Sequence, residues 1–140
     1  MTSQPDPGQP LPPPRVLLVD DTPAIRAALR GLLEDAGVVV VGEAADGLEG
    51  IEQAEALRPD VVLIDWRMPR LSGVQATVRI RQQLPQIQVV MFSHIEGEQA
   101  EAAARYAGAC AFVPKGAVAE LICAAVWAAW RLPEPNRSTY

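Results

Sequence analysis

The chain has 140 residues, 49% of them apolar and 21% charged, which is the composition of a single globular domain and excludes a disordered or fibrous protein. Its 17 acidic and 12 basic side chains give a formal charge of -5, which argues against binding of nucleic acid or of an anionic membrane, because both need a basic surface. The chain shows neither the pattern of a signal peptide nor an apolar stretch long enough to span a membrane, so we expect a cytoplasmic protein.

Short apolar runs alternate with segments of helical period. The first fourteen residues contain six prolines, so we predict a disordered Pro-rich tail over 1–14, a folded domain over 15–132 and a C-terminal tail over 133–140. The apolar runs predict strands at 16–19, 38–41, 61–64, 87–92 and 111–113. Helices are predicted at 23–36, after Asp46, after Ser72, at 96–107 and at 116–131. This alternation predicts an α/β fold with a parallel sheet and helices on both faces.

Polar residues follow four of the five predicted strands. Asp20 and Asp21 come after the first strand, Asp65 after the third, Ser93 after the fourth, and Lys115 just after the fifth. In an open α/β sheet, ligands bind outside the carboxyl ends of the strands. We therefore expect these side chains to meet in one crevice.

Three carboxylates in one crevice repel one another and need a cation, and oxygen ligands at a half-open site suit Mg²⁺. A carboxylate beside such a metal can attack a phosphoryl group, while an ammonium and a hydroxyl stabilise the transferring oxygens. Asp65, Lys115 and Ser93 fit these three roles. Lys115 is the only lysine in the chain, which favours a site that needs a compact charge. The second strand ends in Gly42 and Glu43, which indicate no function by themselves.

Four stretches resemble, in order and spacing, the receiver domain of bacterial two-component response regulators: VLLVDDTPAIR, PDVVLIDWRMPRLSG, VVMFSH and AFVPKG. The resemblance runs from Arg15 to about Arg131, and its style is that of the helix-turn-helix regulators. It implies a flavodoxin-like (βα)5 fold, a doubly wound parallel sheet with strand order 2-1-3-4-5. It also implies that a sensor histidine kinase is the partner, and that the chain is either a single-domain regulator or a receiver cut from a DNA-binding regulator.

The resemblance also implies a role for each residue at the strand ends. Asp65 takes the position of the phosphoacceptor, and Lys115 that of the lysine that contacts the phosphoryl group. Asp20 and Asp21 take the positions of the acidic pair that binds Mg²⁺ together with Asp65. The backbone carbonyl of Arg67 is implied as a further ligand of this ion.

Further residues near this set carry finer expectations. Ser93 takes the position of the switch hydroxyl, and Phe112 that of the aromatic side chain that turns inward on activation. Pro114 precedes the lysine, whereas the family usually has proline after it, so we expect no cis peptide there. We also expect the Arg67 side chain to protect an aspartyl phosphate, and His94 to be a solvated loop residue.

The last predicted helix has two tryptophans. A helical wheel places five residues on the core face and three on the far side: Val118, Leu121, Ile122, Ala125 and Ala129 against Cys123, Trp127 and Trp130. Exposed indoles are costly to leave in water, so we expect Trp127 and Trp130 to form a homodimer interface or to contact another partner. In the alternative, both rings fold back over neighbouring side chains.

Two other functions compete with the receiver. A phosphatase with an aspartyl nucleophile normally has a second acidic residue two positions later, but Thr22 follows Asp20 and Arg67 follows Asp65 at that spacing. A degenerate interaction domain that works without phosphorylation is disfavoured by the complete acidic set. We therefore expect a signalling module that catalyses only its own phosphotransfer and dephosphorylation.

Overall fold

The computed structural model describes residues 12–95, 97–117 and 119–132, in which five strands and five helices alternate. The strands are β1 (Arg15–Val19), β2 (Val39–Ala44), β3 (Val61–Asp65), β4 (Gln88–Ser93) and β5 (Ala111–Pro114). The helices are α1 (Pro23–Asp35), α2 (Gly47–Leu57), α3 (Gly73–Gln83), α4 (Glu98–Ala107) and α5 (Ala119–Arg131). All five strands and all five helices were predicted. The fourth and fifth helices begin later than expected.

The strands form one parallel sheet in the order β2-β1-β3-β4-β5. This confirms the flavodoxin-like fold and the predicted strand order. The chain reverses its direction of travel across the sheet after β2, so β1 and β3 are neighbours at the switch point. Their carboxyl ends, together with those of β4 and β5, lie along one edge of the sheet.

Each face of the sheet has its own hydrophobic core, because successive strand residues point to opposite faces. Helices α1 and α5 cover one face, where Leu33 and Val126 pack with Leu18. Helices α2, α3 and α4 cover the other face, where Ile80 packs with Leu17. The strands are buried on both sides, and this explains why they appear in the sequence as nearly continuous apolar runs.

Helix α5 packs with a different face from the one that the wheel predicted. Ile122 and Ala129 are buried as expected, but Val126 joins them at 0% exposure, while Leu121 is 48% exposed. Val118 lies outside the described residues. Helix α5 has apolar residues in almost every direction, so periodicity alone does not define which arc meets the sheet.

The two tryptophans of α5 also lie elsewhere than predicted. Both are half-buried and pack against the α1/α5 core. The Trp127 Nε1–H donates to the Ala36 carbonyl at 3.3 Å, and the Trp130 Nε1–H donates to the Pro12 carbonyl at 2.9 Å. The prediction that both rings face away from the core was therefore wrong, and the alternative that they cover neighbouring parts of the chain is correct.

The described structure includes residues before the predicted domain start at residue 15. Pro14 is buried, and its carbonyl accepts a hydrogen bond from the Val39 N–H at 3.0 Å, which adds a backbone contact beside β2. The rest of the predicted tails, 1–11 and 133–140, lies outside the described residues. Among the helices described, none has the length and apolar character needed to cross a membrane.

Asp46 caps helix α2, as predicted, and its charge also holds a neighbouring loop. Its Oδ1 accepts from the Glu49 N–H at 2.9 Å, and its Oδ2 pairs with the Arg70 guanidinium at 2.7 Å. These two contacts, the Glu49 N–H first, hold the pKa of Asp46 below its ordinary value of 3.8. A carboxyl with a lowered pKa contributes stability above pH 4, and this contribution is lost as the pH falls through the folded-state pKa.

Asp46→Asn should keep the cap but lose the charge, because asparagine is as good an N-cap as aspartate. At pH 7 we expect the free energy of unfolding to fall by about 0.5 kcal/mol, since Arg70 is largely exposed. Asp46→Ala, which also removes the cap, should cost about 1 kcal/mol more. Urea unfolding of both variants from pH 7 to pH 3 measures this. A deficit of Asp46→Asn that did not shrink at low pH would contradict the prediction.

Candidate functional site

The three predicted carboxylates meet at the carboxyl edge of the sheet. Asp20 and Asp65 are buried, and Asp21 is exposed at the rim. Each offers one carboxylate oxygen, and these three oxygens lie within 4.8 Å of one another. Strands β1 and β3 pair with Val19 beside Ile64, so Asp20 and Asp65 are each one residue beyond a paired position. The prediction that these side chains share one crevice is confirmed.

Lys115 lies between the two buried carboxylates. Its Nζ is 3.0 Å from Asp65 Oδ2 and 3.2 Å from Asp20 Oδ2, and only 9% of its side chain is exposed. The ammonium also lies 5.0 Å from the centre of the Phe92 ring. The Lys115 N–H donates to the Ser93 carbonyl at 2.9 Å, which fixes the turn after β5 against the end of β4. The sole lysine of the chain therefore bridges both carboxylates.

The cluster is an acidic site in which the Lys115 ammonium compensates only part of the carboxylate charge. Burial raises the pKa of Asp65, and the bond with Lys115 offsets that rise only in part. Burial by itself would lower the pKa of Lys115, but Asp65 and Asp20 together outweigh it and hold that pKa above its ordinary value of 10.5. Three carboxylates against one ammonium leave the cluster acidic. An oxygen-only donor set of this charge, open at Asp21, is suited to Mg²⁺.

A cleft of about 310 Å³ opens in front of Asp65. The residues around it come from the ends of β3, β4 and β5: Asp65, Arg67, Ser93, His94, Ile95 and Lys115. Ser93 is buried, and its Oγ accepts from the Ile95 N–H at 3.0 Å, which leaves its hydroxyl proton free to donate. Arg67 and His94 are exposed at the mouth, in agreement with the expectation that His94 is a solvated loop residue.

The loop after Asp65 is held tightly beneath it. The Trp66 N–H donates to Asp65 Oδ1 at 2.8 Å, and the Gly73 N–H donates to the Trp66 carbonyl at 2.7 Å. A side chain at Gly73 would overlap the Asp65 carbonyl oxygen, so this close approach requires glycine. Phe112 is half-buried and meets the Trp66 ring edge to face, with centroids 6.1 Å apart. All peptide bonds of the described residues are trans, as expected around Lys115.

Sequence reasoning missed a charged group beside the acidic pair. Glu43, to which we assign no function from the sequence, accepts from Arg26 Nε at 2.9 Å and from Arg30 Nε at 2.8 Å. Arg30 and then Arg26 hold the pKa of Glu43 below its ordinary value. Arg26 Nη1 also donates to the Asp20 carbonyl at 2.6 Å. The pattern that could have predicted this contact is an acidic residue near the end of β2, Glu43, following a helix with arginines at i and i+4, Arg26 and Arg30.

Comparison with known proteins identifies the family of this chain. The family model of the response regulator receiver domain matches residues 16–126. The chain belongs to this family. All residues at the carboxyl edge that the resemblance singled out lie within the matched part of this receiver.

Solved receiver domains have the same architecture. The receiver of NarL from Mycobacterium tuberculosis is 32% identical with a TM-score of 0.82, covering 86% of this chain and 98% of that one. The response regulator domain of CheB from Thermotoga maritima is also 32% identical, with a TM-score of 0.81 and the same coverage. Both likenesses extend over nearly the whole of the solved domain.

Curated relatives are longer than this chain. Protein-glutamate methylesterase/protein-glutamine glutaminase 1 of Geobacter sulfurreducens is 43% identical over 104 residues, which are 72% of this chain but 28% of that protein. The relative of the same name, numbered 4, from Myxococcus xanthus is 41% identical over 105 residues, 30% of its length. The receiver thus spans under a third of these relatives.

Replacing Lys115 tests whether it holds the buried carboxylates together. Lys115→Met leaves Asp20 and Asp65 without their shared partner, so we expect the free energy of unfolding in EDTA to fall by about 3 kcal/mol at pH 7. Lys115→Arg keeps the positive charge, so its free energy of unfolding should fall clearly less than that of Lys115→Met. Equilibrium unfolding in guanidinium chloride measures both. A methionine variant as stable as the wild type would show that the ammonium does not compensate the cluster.

Proposed function

We propose that this receiver accepts a phosphoryl group on Asp65 from the phosphohistidine of a sensor kinase in the cytoplasm, with Mg²⁺ as cofactor. The observation that carries the proposal is the position of Lys115 Nζ, within 3.2 Å of both Asp20 and Asp65 at the floor of an open cleft. A buried carboxylate, a shared ammonium and a free hydroxyl at one cleft are the groups that phosphoryl transfer needs.

The donor set fits Mg²⁺. Asp20, Asp21 and Asp65 would hold the ion through carboxylate oxygens, and the backbone carbonyl of Arg67 would be a further ligand. When bound, Mg²⁺ supplies positive charge to the phosphoryl oxygens. A solved relative supports this assignment, since a complex of CheX and CheY from Borrelia burgdorferi contains BeF3 and Mg²⁺.

The residues of the cleft divide the chemistry among them. A carboxylate oxygen of Asp65 forms the new bond to phosphorus, the bond from phosphorus to the histidine nitrogen breaks, and that nitrogen keeps the electron pair. Lys115 is already beside Asp65 and donates to a phosphoryl oxygen. The Ser93 hydroxyl, whose oxygen accepts from Ile95, donates its proton to another phosphoryl oxygen.

The same contacts carry the signal away from Asp65. Ser93 is the last residue of β4, and Phe112 lies on the adjacent strand β5. Movement of the Ser93 hydroxyl toward a phosphoryl group would shift the end of β4 and, through the β4–β5 pairing, change the packing around Phe112. We propose that this change reaches α4, β5 and α5. Phe112 is half-buried against Trp66, so an inward turn would bury more of its ring.

The context of the receiver is part of the same proposal. It acts either as a single-domain regulator or as the receiver of a larger regulator with an enzymatic or DNA-binding partner domain. It makes no direct contact with nucleic acid and catalyses only its own phosphotransfer and dephosphorylation. A homodimer through the last helix would use Leu121 and Leu132, the exposed large apolar side chains of that region, because Trp127 and Trp130 contact the chain itself.

Intact mass spectrometry tests the proposed function. After incubation with acetyl phosphate and Mg²⁺, the wild-type chain should gain the mass of one phosphoryl group, and EDTA should prevent this gain. The Asp65→Asn variant should gain no mass under the same conditions. Beryllofluoride binding, followed by fluorine NMR with Mg²⁺ and with EDTA, tests the same site without any transfer chemistry. A chain that neither gains mass nor binds beryllofluoride would overturn the proposal and favour the phosphorylation-independent interaction domain.

Arg67 at the mouth of the cleft should lengthen the lifetime of the phosphorylated form, by contact with phosphoryl oxygens or by blocking the attacking water. A charge-assisted hydrogen bond contributes about 1.5 kcal/mol, so Arg67→Ala should lose its phosphoryl group up to about tenfold faster. Arg70→Ala is the matched control, because Arg70 is in the same loop but pairs with Asp46 outside the cleft. Loss of phosphate is followed by mass; equal rates for wild type and Arg67→Ala would refute the role.

A further inference from the structure

The acidic pair lies in a tight turn between β1 and α1. Asp20 is held within this turn, since its N–H donates to the Ala44 carbonyl at 3.0 Å and its Oδ1 accepts from the Thr22 N–H at 2.8 Å. Asp21 is different. It is exposed, and within the described residues none of the salt bridges or hydrogen bonds includes its carboxylate. The direction of the Asp21 side chain therefore depends on the backbone between Asp20 and Asp21.

Arg26 fixes that backbone. It is the fourth residue of α1, and helical side chains point back toward the helix N-terminus, so its guanidinium returns over the turn. Its Nη1 donates to the Asp20 carbonyl at 2.6 Å. This carbonyl belongs to the peptide bond that joins Asp20 to Asp21. A charged donor at this distance restricts the orientation of the peptide plane.

Glu43 holds Arg26 in place. Its two carboxylate oxygens are shared between Arg26 Nε at 2.9 Å and Arg30 Nε at 2.8 Å. Strand β2 pairs with β1 so that Glu43 is beside Leu18, which brings the carboxylate next to the turn. The Arg26 side chain is 17% exposed and that of Arg30 is 36% exposed. Arg26 is therefore the more confined of the two, and of these two only Arg26 contacts Asp20.

We propose that Arg26, held by Glu43, is a positioning residue that sets the geometry of the Asp20–Asp21 pair for Mg²⁺. The proposal rests on the proposed function, because it assumes that this pair binds the ion. Arg26 acts through the Asp20 carbonyl and touches neither the metal ligand oxygens nor the phosphoryl group. Residues that orient metal ligands typically change the metal affinity by about 10- to 100-fold when they are replaced.

The sign of the effect separates positioning from charge. Arg26 is a cation near an acidic cluster, so its removal would, by Coulomb's law alone, strengthen the attraction for Mg²⁺. Loss of positioning does the opposite, because the free Asp21 side chain must be ordered when the ion binds. Weaker Mg²⁺ binding after loss of a positive charge is thus a result that a purely electrostatic role does not produce.

The experiment is a Mg²⁺ titration of the full chain after treatment with EDTA and dialysis, followed by tryptophan fluorescence. Trp66 is next to Asp65, whereas Trp127 and Trp130 lie on α5 and contribute a background signal. Arg26→Gln should raise the dissociation constant about tenfold. Arg30→Gln is the matched control, because it also removes one positive charge and one ion pair with Glu43, but Arg30 does not contact Asp20. Arg30→Gln should change the dissociation constant for Mg²⁺ less than about twofold. Amide exchange in EDTA gives a second readout: the Thr22 amide should exchange faster in Arg26→Gln and not in Arg30→Gln.

Each outcome decides the inference. Mg²⁺ binding by folded Arg26→Gln that is as tight as in the wild type, or tighter, would overturn it, as would equal weakening in both variants. If Arg26→Gln does not fold, Arg26→Lys replaces it, because lysine keeps the charge but lacks the rigid planar set of donors with which the guanidinium contacts Glu43 and the Asp20 carbonyl together. Unchanged Mg²⁺ affinity together with unchanged exchange of the Thr22 amide in Arg26→Lys would then overturn the positioning role of the guanidinium. A wild type that binds no Mg²⁺ would instead refute the proposed function, so the two failures are distinct.

Discussion

The contact of one ammonium with two buried carboxylates is the interaction on which the functional edge of this domain depends. Asp20 and Asp65 are forced together because β1 and β3 are neighbours in the sheet, and their charges would repel each other without Lys115. The lysine reaches them because Pro114 of β5 pairs with Ser93 of β4. The strand order thus places the two mutually repelling carboxylates and the lysine that compensates them at the same edge of the sheet.

Three of the loops at this edge are tied to a neighbour. The turn after β1 is held by hydrogen bonds from Arg26 and to Ala44 of β2. The loop after β3 is held by the bond from the Gly73 N–H, at the start of α3, to the Trp66 carbonyl, and the turn after β5 by the bond from the Lys115 N–H to the Ser93 carbonyl. Such contacts keep the polar groups close to their working positions before any ligand arrives. Preorganisation of this kind reduces the reorganisation that a charged transition state otherwise requires.

Much of this arrangement was accessible from the sequence. The strands were predicted because burial on both faces leaves only apolar residues in them, and Asp65 and Lys115 stood out because strand ends are where a parallel sheet presents its chemistry. The sequence did not indicate a role for Glu43, because its contacts with Arg26 and Arg30 of α1 form only when the chain folds. The predicted packing of α5 was wrong at Leu121 and Val126, because apolar residues in almost every direction around this helix give a helical wheel no clear buried face.

The hydrogen bond from Trp130 to the Pro12 carbonyl has an architectural consequence. It places the approach to β1 beside the last turn of α5, so the chain enters and leaves this domain at one corner. Polypeptide attached on either side would emerge from neighbouring points, far in sequence but adjacent in space. Domains with this property can be joined to others, inserted into them or circularly permuted with little disturbance of their cores. The contact of Trp130 with Pro12 thus leaves the core of the domain away from the points where another domain would be attached.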